Sequence, residues 1–254
     1  MAGKIYSYRH QIVDYEMSVT GNVKLTTLLN LLMLASEQQS TELGVGAAQV
    51  QARGLGWIVT QHDLHVTRWP HYGETITVFT QATSYNKYFC YRDFWIEDAQ
   101  GTEIVRMHTV FVLIDLDKRK IVPVAADLVD IFQADKVRRG ERITNPAKVT
   151  APDAGKDYAI RFTDLDLNRH VHNTNYFDWM TDALDREFLL RHEPVRVNIK
   201  YEKELHYGDV ARSEVQFISD DHLRTAHQIK NGDEVNCVAE IEWRPIAADK
   251  GDHE

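Results

Sequence analysis

The chain has 254 residues, 43% of them hydrophobic and 26% charged, the balance of a soluble globular protein with core enough for one large domain or two ordinary ones. A net charge of −9 argues against nucleic acid as a partner. No apolar run approaches the ~20 residues of a membrane span, and the start, Met1-Ala-Gly-Lys-Ile-Tyr-Ser-Tyr-Arg-His10, has no apolar signal segment. Two cysteines, Cys90 and Cys237, fit a reducing compartment rather than a disulfide framework, so the expected location is cytoplasmic.

In chain order, residues 23–44 read first as a helix. Leu25, Leu28, Leu29, Leu32 and Ala35 recur at three- and four-residue spacing, and Leu31, Met33 and Leu34 widen the stripe until most sides are apolar. Strands are expected at 57–68, 75–85, 88–98 and 103–115, with turns at Gln100-Gly101 and at Asp115-Leu-Asp-Lys-Arg119. The basic run Lys136-Val-Arg138-Arg139-Gly-Glu-Arg142 and two prolines then break the pattern across 138–152. A second helix is expected at 174–190, with Tyr176, Phe177, Met180, Ala183, Leu184 and Phe188 as its apolar stripe. Strands follow at 195–205, 210–219, 224–230 and 235–244, with Asn231-Gly232 as a hairpin turn.

The two series are one pattern written twice. His71-Tyr72-Gly73-Glu74 returns as His206-Tyr207-Gly208-Asp209, in both cases downstream of a helix and inside a β meander. A sheet must bury one face and an apolar helix must be covered, so wrapping each sheet round its helix satisfies both. The expected fold class is therefore α+β: two tandem hotdog domains, residues 1–140 and 141–254, each an antiparallel sheet around a long central helix. One continuous core would contradict separate wrapping. Charge divides with the halves: up to Gly140 there are 14 Lys and Arg against 15 Asp and Glu, so the second half holds nearly all the net negative charge.

The densest chemistry lies just before the second helix, in Asp166-Leu-Asn168-Arg-His170. Alternate spacing in an extended loop sends the three polar side chains to one side. A carboxylate beside an imidazole holds it in one tautomer, and a helix start favours developing negative charge. Taken alone, such a triplet is more often a set of caps and turn formers. His170-x-His172 lacks a convincing third ligand, so no metal and no cofactor are expected.

The same run continues as Val171-His-Asn173-Thr-Asn-Tyr176. D-x-N-x-H followed by V-x-N-x-x-Y resembles the catalytic signature of plant and bacterial acyl-ACP thioesterases. The resemblance extends over Trp57-Ile-Val-Thr60, Tyr91-Arg92-Asp93-Phe-Trp95 and Lys200-Tyr201-Glu202-Lys203-Glu204-Leu205, which is similar to the family's E-Y-R-R-E-C. It implies hydrolysis of fatty acyl-ACP to free fatty acid and ACP, with Asp166, Asn168, His170 and Glu204 as the catalytic set. Glu204, with Asp166, would activate the water. Asn168 and His170 would position water or thioester, and backbone N–H groups near Val171 to Asn173 would receive the oxyanion. Glu204 taken alone reads as a solvated strand-end carboxylate.

Where plant members often carry cysteine after that glutamate, this chain has Leu205, which cannot attack a thioester. Cys90 and Cys237 read as small packed residues, so water is the expected nucleophile. The first half lacks the constellation, since its pre-helix segment is Glu16-Met-Ser-Val-Thr-Gly-Asn22. That half would instead shape the acyl pocket, with Leu28, Leu32, Ala35, Trp57 and Ile58 as candidate lining. Acyl carrier protein is acidic, so docking requires a local basic patch. Arg138 and Arg139 are the leading candidates, with Lys118-Arg119-Lys120 as a second. The expected assembly is a monomeric pseudo-dimer or a homodimer. The competing readings are an acyl-CoA thioesterase or another hotdog enzyme, and a non-catalytic acyl-binding hotdog protein.

Overall fold

The computed structural model describes residues 3–166 and 169–246. In the first half, β1 (Ile5–Gln11) precedes α1 (Leu25–Glu42) and a short α2 (Ala47–Gln51). The meander β2 (Leu55–Val66), β3 (Thr75–Tyr85), β4 (Phe89–Glu97), β5 (Glu103–Asp115) follows. Then come the small elements β6 (Lys120–Val122), α3 (Ala126–Val129) and β7 (Asp135–Lys136). The second half begins with β8 (Ala154–Ala159) and the helices α4 (Asn175–Asp182) and α5 (Arg186–Arg191). It ends in the meander β9 (His192–Tyr201), β10 (Val210–Phe217), β11 (Arg224–Asn231), β12 (Glu234–Pro245).

Strand order shows the duplication. The path β1-β3-β4-β5-β2 meets β9-β12-β11-β10-β8, the same order in mirror sequence about the β2–β9 seam. That seam is antiparallel and pairs Gln61 with Lys200 through to His65 with Arg196. The repeated tetrapeptide forms the same turn in both halves. His71 N–H donates to the Glu74 carboxylate at 2.9 Å and His206 N–H to the Asp209 carboxylate at 2.8 Å. Gly73 and Gly208 take φ values of +77° and +94°, which only glycine adopts without strain.

The tandem-hotdog class holds, with two corrections. First, the cores merge. The sheet continues through the seam, α1 and α4 lie against each other, and one hydrophobic cluster runs from Leu28, Leu32 and Phe94 to Phe177, Ile199 and Ile241. Second, the helix expected at 174–190 is two helices. Asp185 accepts N–H bonds from Glu187 and Phe188 at 2.8 and 3.3 Å, so it caps a new helix.

The stretch 137–153 has no strand or helix. It crosses the seam, where the Thr144 carbonyl accepts from the side chains of Gln61 (2.9 Å) and Asn198 (2.7 Å). Beneath α1, the buried Arg92 guanidinium donates to Gln39 at 2.6 Å and Thr80 at 3.0 Å, which satisfies a charge inside the core. Among the described residues, no helix is long and apolar enough to cross a membrane.

Candidate active site

Both halves build the same loop ahead of their helix. A 3-10 turn comes first. The Glu16 carboxylate accepts from Val13 N–H at 2.9 Å, and the Asp164 carboxylate accepts from Arg161 N–H at 2.8 Å. Isolated bridges then join Met17 to Val23 and Leu165 to Val171. Inside each bridge Ser18 N–H donates to Asn22 O (2.7 Å), as Asp166 N–H does to His170 O (2.9 Å). Gly21 N–H donates to Ser18 O (3.1 Å), as Arg169 N–H does to Asp166 O (3.0 Å). Gly21 and Arg169 share the left-handed conformation, at φ +79° and +66°. The loops correspond bond for bond, with Ser18 and Asn22 standing where the second half has Asp166 and His170.

The side chains diverge. In the second half His170 Nδ1 lies 3.5 Å from the Asp166 carboxylate, and His170 Nε2 lies 3.5 Å from Glu204 Oε1. These contacts are slightly longer than ordinary hydrogen bonds. In the first half the Asn22 side chain donates to Glu193 at 2.6 Å. The position two before the repeated turn is Trp69, buried and donating to the Pro194 carbonyl at 3.2 Å, where the second half has Glu204. The first copy therefore has neither the imidazole nor the carboxylate.

Glu204 sits just past β9, and its neighbours fix its direction. Its carbonyl accepts from the Asn236 side chain at 3.2 Å, and the next carbonyl, of Leu205, accepts from Val171 N–H at 2.8 Å. Leu205 is fully buried in the core, so the chain turns Leu205 inward while Glu204 faces a cavity. Tyr201 braces the loop from below, its hydroxyl donating to Asn173 O at 3.0 Å and its ring meeting Tyr176 edge-on.

That cavity, of about 110 Å³, is walled by both halves. His170 and Glu204 come from the second. Ala47, Val50, Trp57, Ile58, Ile114 and Arg119 are among those from the first. It is smaller than the ~300 Å³ at which small-ligand pockets begin. The Arg119 guanidinium pairs with Glu204 across the halves.

Trp57 and Ile58 thus meet His170 and Glu204 as a group. Leu28, Leu32 and Ala35 do not; they are on the buried face of α1, fully within the core, and are not among the residues lining the cavity. An apolar stripe reports burial, and here the sheet supplies it. Arg138 and Arg139 are exposed in the stretch after β7. Asn168 lies outside the described residues.

Two of the three backbone N–H groups expected to receive an oxyanion are already engaged. Val171 donates to Leu205 O and His172 to Asp164 O, both at 2.8 Å. His172 turns its ring to the Thr174 hydroxyl at 2.8 Å, and burial lowers its pKa, so it serves the helix start. Residues that sequence reasoning missed are Ala47 and Val50 of α2, Ile114, and Arg119 in its role toward Glu204. The one available signal was the hairpin at Asp115-Leu-Asp-Lys-Arg119, which returns the chain beside the start of β2.

Comparison with known proteins gives one family. The acyl-ACP thioesterase N-terminal domain model matches residues 3–132, and the acyl-ACP thioesterase C-terminal domain model matches residues 147–245. A protein assigned as an oleoyl thioesterase from Lactobacillus plantarum is 38% identical, with a TM-score of 0.92 over 96% of this chain and 97% of its own. A 12:0-ACP thioesterase from Umbellularia californica shares the fold, with a TM-score of 0.86 at 21% identity over 97% of this chain and 99% of its own. A chloroplastic acyl-acyl carrier protein hydrolase from Cuphea viscosissima is 25% identical over 96% of this chain, which spans 63% of that relative's length. With the two domain models covering most of its length, the chain belongs to the acyl-ACP thioesterase family.

Proposed function

We propose that the protein hydrolyses fatty acyl-ACP to free fatty acid and ACP, with water as the nucleophile. The observation that carries this reading is the convergence of His170 and Glu204, 34 positions apart in the chain, on one cavity completed by the other half. Glu204 takes a proton from the water as its oxygen adds to the thioester carbon. Collapse of the tetrahedral adduct breaks the C–S bond, and the proton passes to the departing sulfur. His170, beside Asp166, orients the water or the carbonyl, and Asn168, two residues ahead of it in the chain, is assigned the same task by the family resemblance. Residues 141–254 supply this chemistry, while residues 1–140 supply the apolar wall at Trp57 and Ile58.

Thiol catalysis is disfavoured by the same geometry. Burial pushes the Cys90 thiol up to about 12 and the Cys237 thiol well above its ordinary value, so neither supplies thiolate near neutral pH. Both cysteines are unpaired, which suits a reducing cytoplasm. The carrier protein docks on exposed cations of the first half, Arg138 and Arg139. Because the fold already pairs two hotdog halves, a single chain is a complete catalytic unit, whether monomeric or paired again as a homodimer. The test is hydrolysis of matched acyl-ACP and acyl-CoA panels of increasing chain length. Faster turnover of acyl-ACP supports the reading. Preference for acyl-CoA transfers the assignment to an acyl-CoA thioesterase, and binding without turnover leaves an acyl-binding protein.

A further inference from the structure

We propose that Arg119 is a positioning residue for the hydrolysis: it reaches from the first half to fix the Glu204 carboxylate so that the free oxygen faces His170. This rests on Glu204 being the base. The pair engages Glu204 Oε2, while Oε1 lies 3.5 Å from His170 Nε2. Both partners line the cavity, so the contact is part of its wall.

The turn that presents Arg119 is built for the purpose. Asp115 accepts from the N–H groups of Asp117 (3.1 Å) and Lys118 (2.8 Å), and its carbonyl accepts from Arg119 N–H at 2.9 Å. Arg119 itself takes φ +53°, left-handed backbone that glycine adopts freely and other residues adopt only against a steric cost. Glycine would relax the turn, so Arg119→Gly separates the guanidinium's contribution from the backbone's. Arginine is suited to the positioning task. It is permanently charged, and its rigid planar guanidinium holds one N–H on Glu204 Oε2, a direction that a freely rotating lysine ammonium would not fix. Lys118, its neighbour, is occupied by the Asp115 carboxylate at 3.2 Å.

The test uses Arg119→Gly, Arg119→Lys and Glu204→Gln, with the double variant of the first and last. Arg119→Gly removes the guanidinium and relieves the backbone, so its thermal midpoint stays at or above that of the parent. Its kcat on acyl-ACP falls about 100-fold, the loss expected from a misplaced catalytic group, while KM moves less than about threefold. Arg119→Lys recovers part of the loss. On the Glu204→Gln background Arg119→Gly brings no further loss, because two residues acting as a unit do not add. Arg119→Gln, which keeps the parent backbone requirement, checks that the relieved turn is not itself the cause; it should match Arg119→Gly in kcat.

If Arg119→Gly keeps kcat within twofold while Glu204→Gln is severely impaired, the pair is an inconsequential surface bridge and the proposal is wrong. A loss confined to KM, larger for acyl-ACP than for acyl-CoA, makes Arg119 a docking cation and also overturns it. Near-normal turnover by Glu204→Gln is a separate result: the reading of Glu204 as base has then failed, and the positioning role with it.

Discussion

Leu205→Cys restores to this chain the cysteine that many plant members carry after the glutamate, and the structure predicts that the new thiol does nothing chemical. The Leu205 side chain is fully buried in the shared core, and its carbonyl is tied to Val171 N–H at 2.8 Å, so the position cannot swing into the cavity without breaking the loop that carries His170. What the substitution changes is packing. It removes about two carbons of apolar side chain at ~0.8 kcal/mol each and leaves about 50 Å³ of space at ~24 cal/mol per Å³, together about 2–3 kcal/mol. For a chain of this size that is a fall of about 4–12 °C in the unfolding midpoint. Calorimetry reads the midpoint, acyl-ACP hydrolysis reads activity, and native alkylation followed by mass spectrometry reads thiol access. Lower stability with near-parent kcat and an unlabelled thiol is the expected outcome. An acyl adduct on the introduced sulfur, or a rise in kcat that alkylation abolishes, would refute the placement of Leu205 and the water mechanism together.

Other outcomes follow from the same geometry. A Cys90→Ala/Cys237→Ala double variant keeps most activity in the hydrolysis assay if it folds, and covalent trapping of acyl on either native sulfur would contradict that. Charge reversal at Arg138 and Arg139 weakens acyl-ACP turnover more than acyl-CoA turnover, and the difference shrinks with added salt, since exposed charges are screened beyond ~8 Å at physiological ionic strength; equal losses on both substrates would exclude this docking site. His62 and His227 are buried neutral, each pushed down to about 3 by burial. The unfolded chain protonates them near pH 6.5, so their contribution is fully present above that pH and is lost as pH falls from 6.5 toward 3. Midpoints measured across that range should decline less steeply in His62→Gln, and an unchanged slope would contradict it.

The parts of the fold that were legible are those with strong punctuation. β3 and β5 are found with the expected ends because glycine and Asx turns bracket them on both sides. β9 ends at Tyr201, short of the expected 205, because the chain leaves the ladder to direct Glu204 and Leu205 oppositely. β8, the short strand ahead of the second helix, has no bounds that the sequence marks, because an exposed edge strand, Ala154-Gly-Lys-Asp-Tyr-Ala159, carries no apolar alternation. The break between α4 and α5 was hidden because Ala183 and Leu184 continue the helical stripe, and only the Asp185 cap interrupts it. Within the candidate site the local motif announced Asp166 and His170, and family resemblance was needed for Glu204. The cavity wall was largely illegible. Val50, Ile114 and Arg119 converge only through the pairing of β2 with β5, where Gly56 stands opposite Ile114, and long-range register is not written in a local pattern.

Steady-state hydrolysis of a fatty acyl-ACP by folded Glu204→Gln, beside the parent protein, decides whether Glu204 is the base. The substitution keeps the shape of the side chain and removes its proton acceptor. With Glu204 as the base, kcat falls about 100- to 10,000-fold with little change in KM, the usual loss for a positioned general base. Turnover near that of the parent would contradict it and move the base to Asp166 or His170.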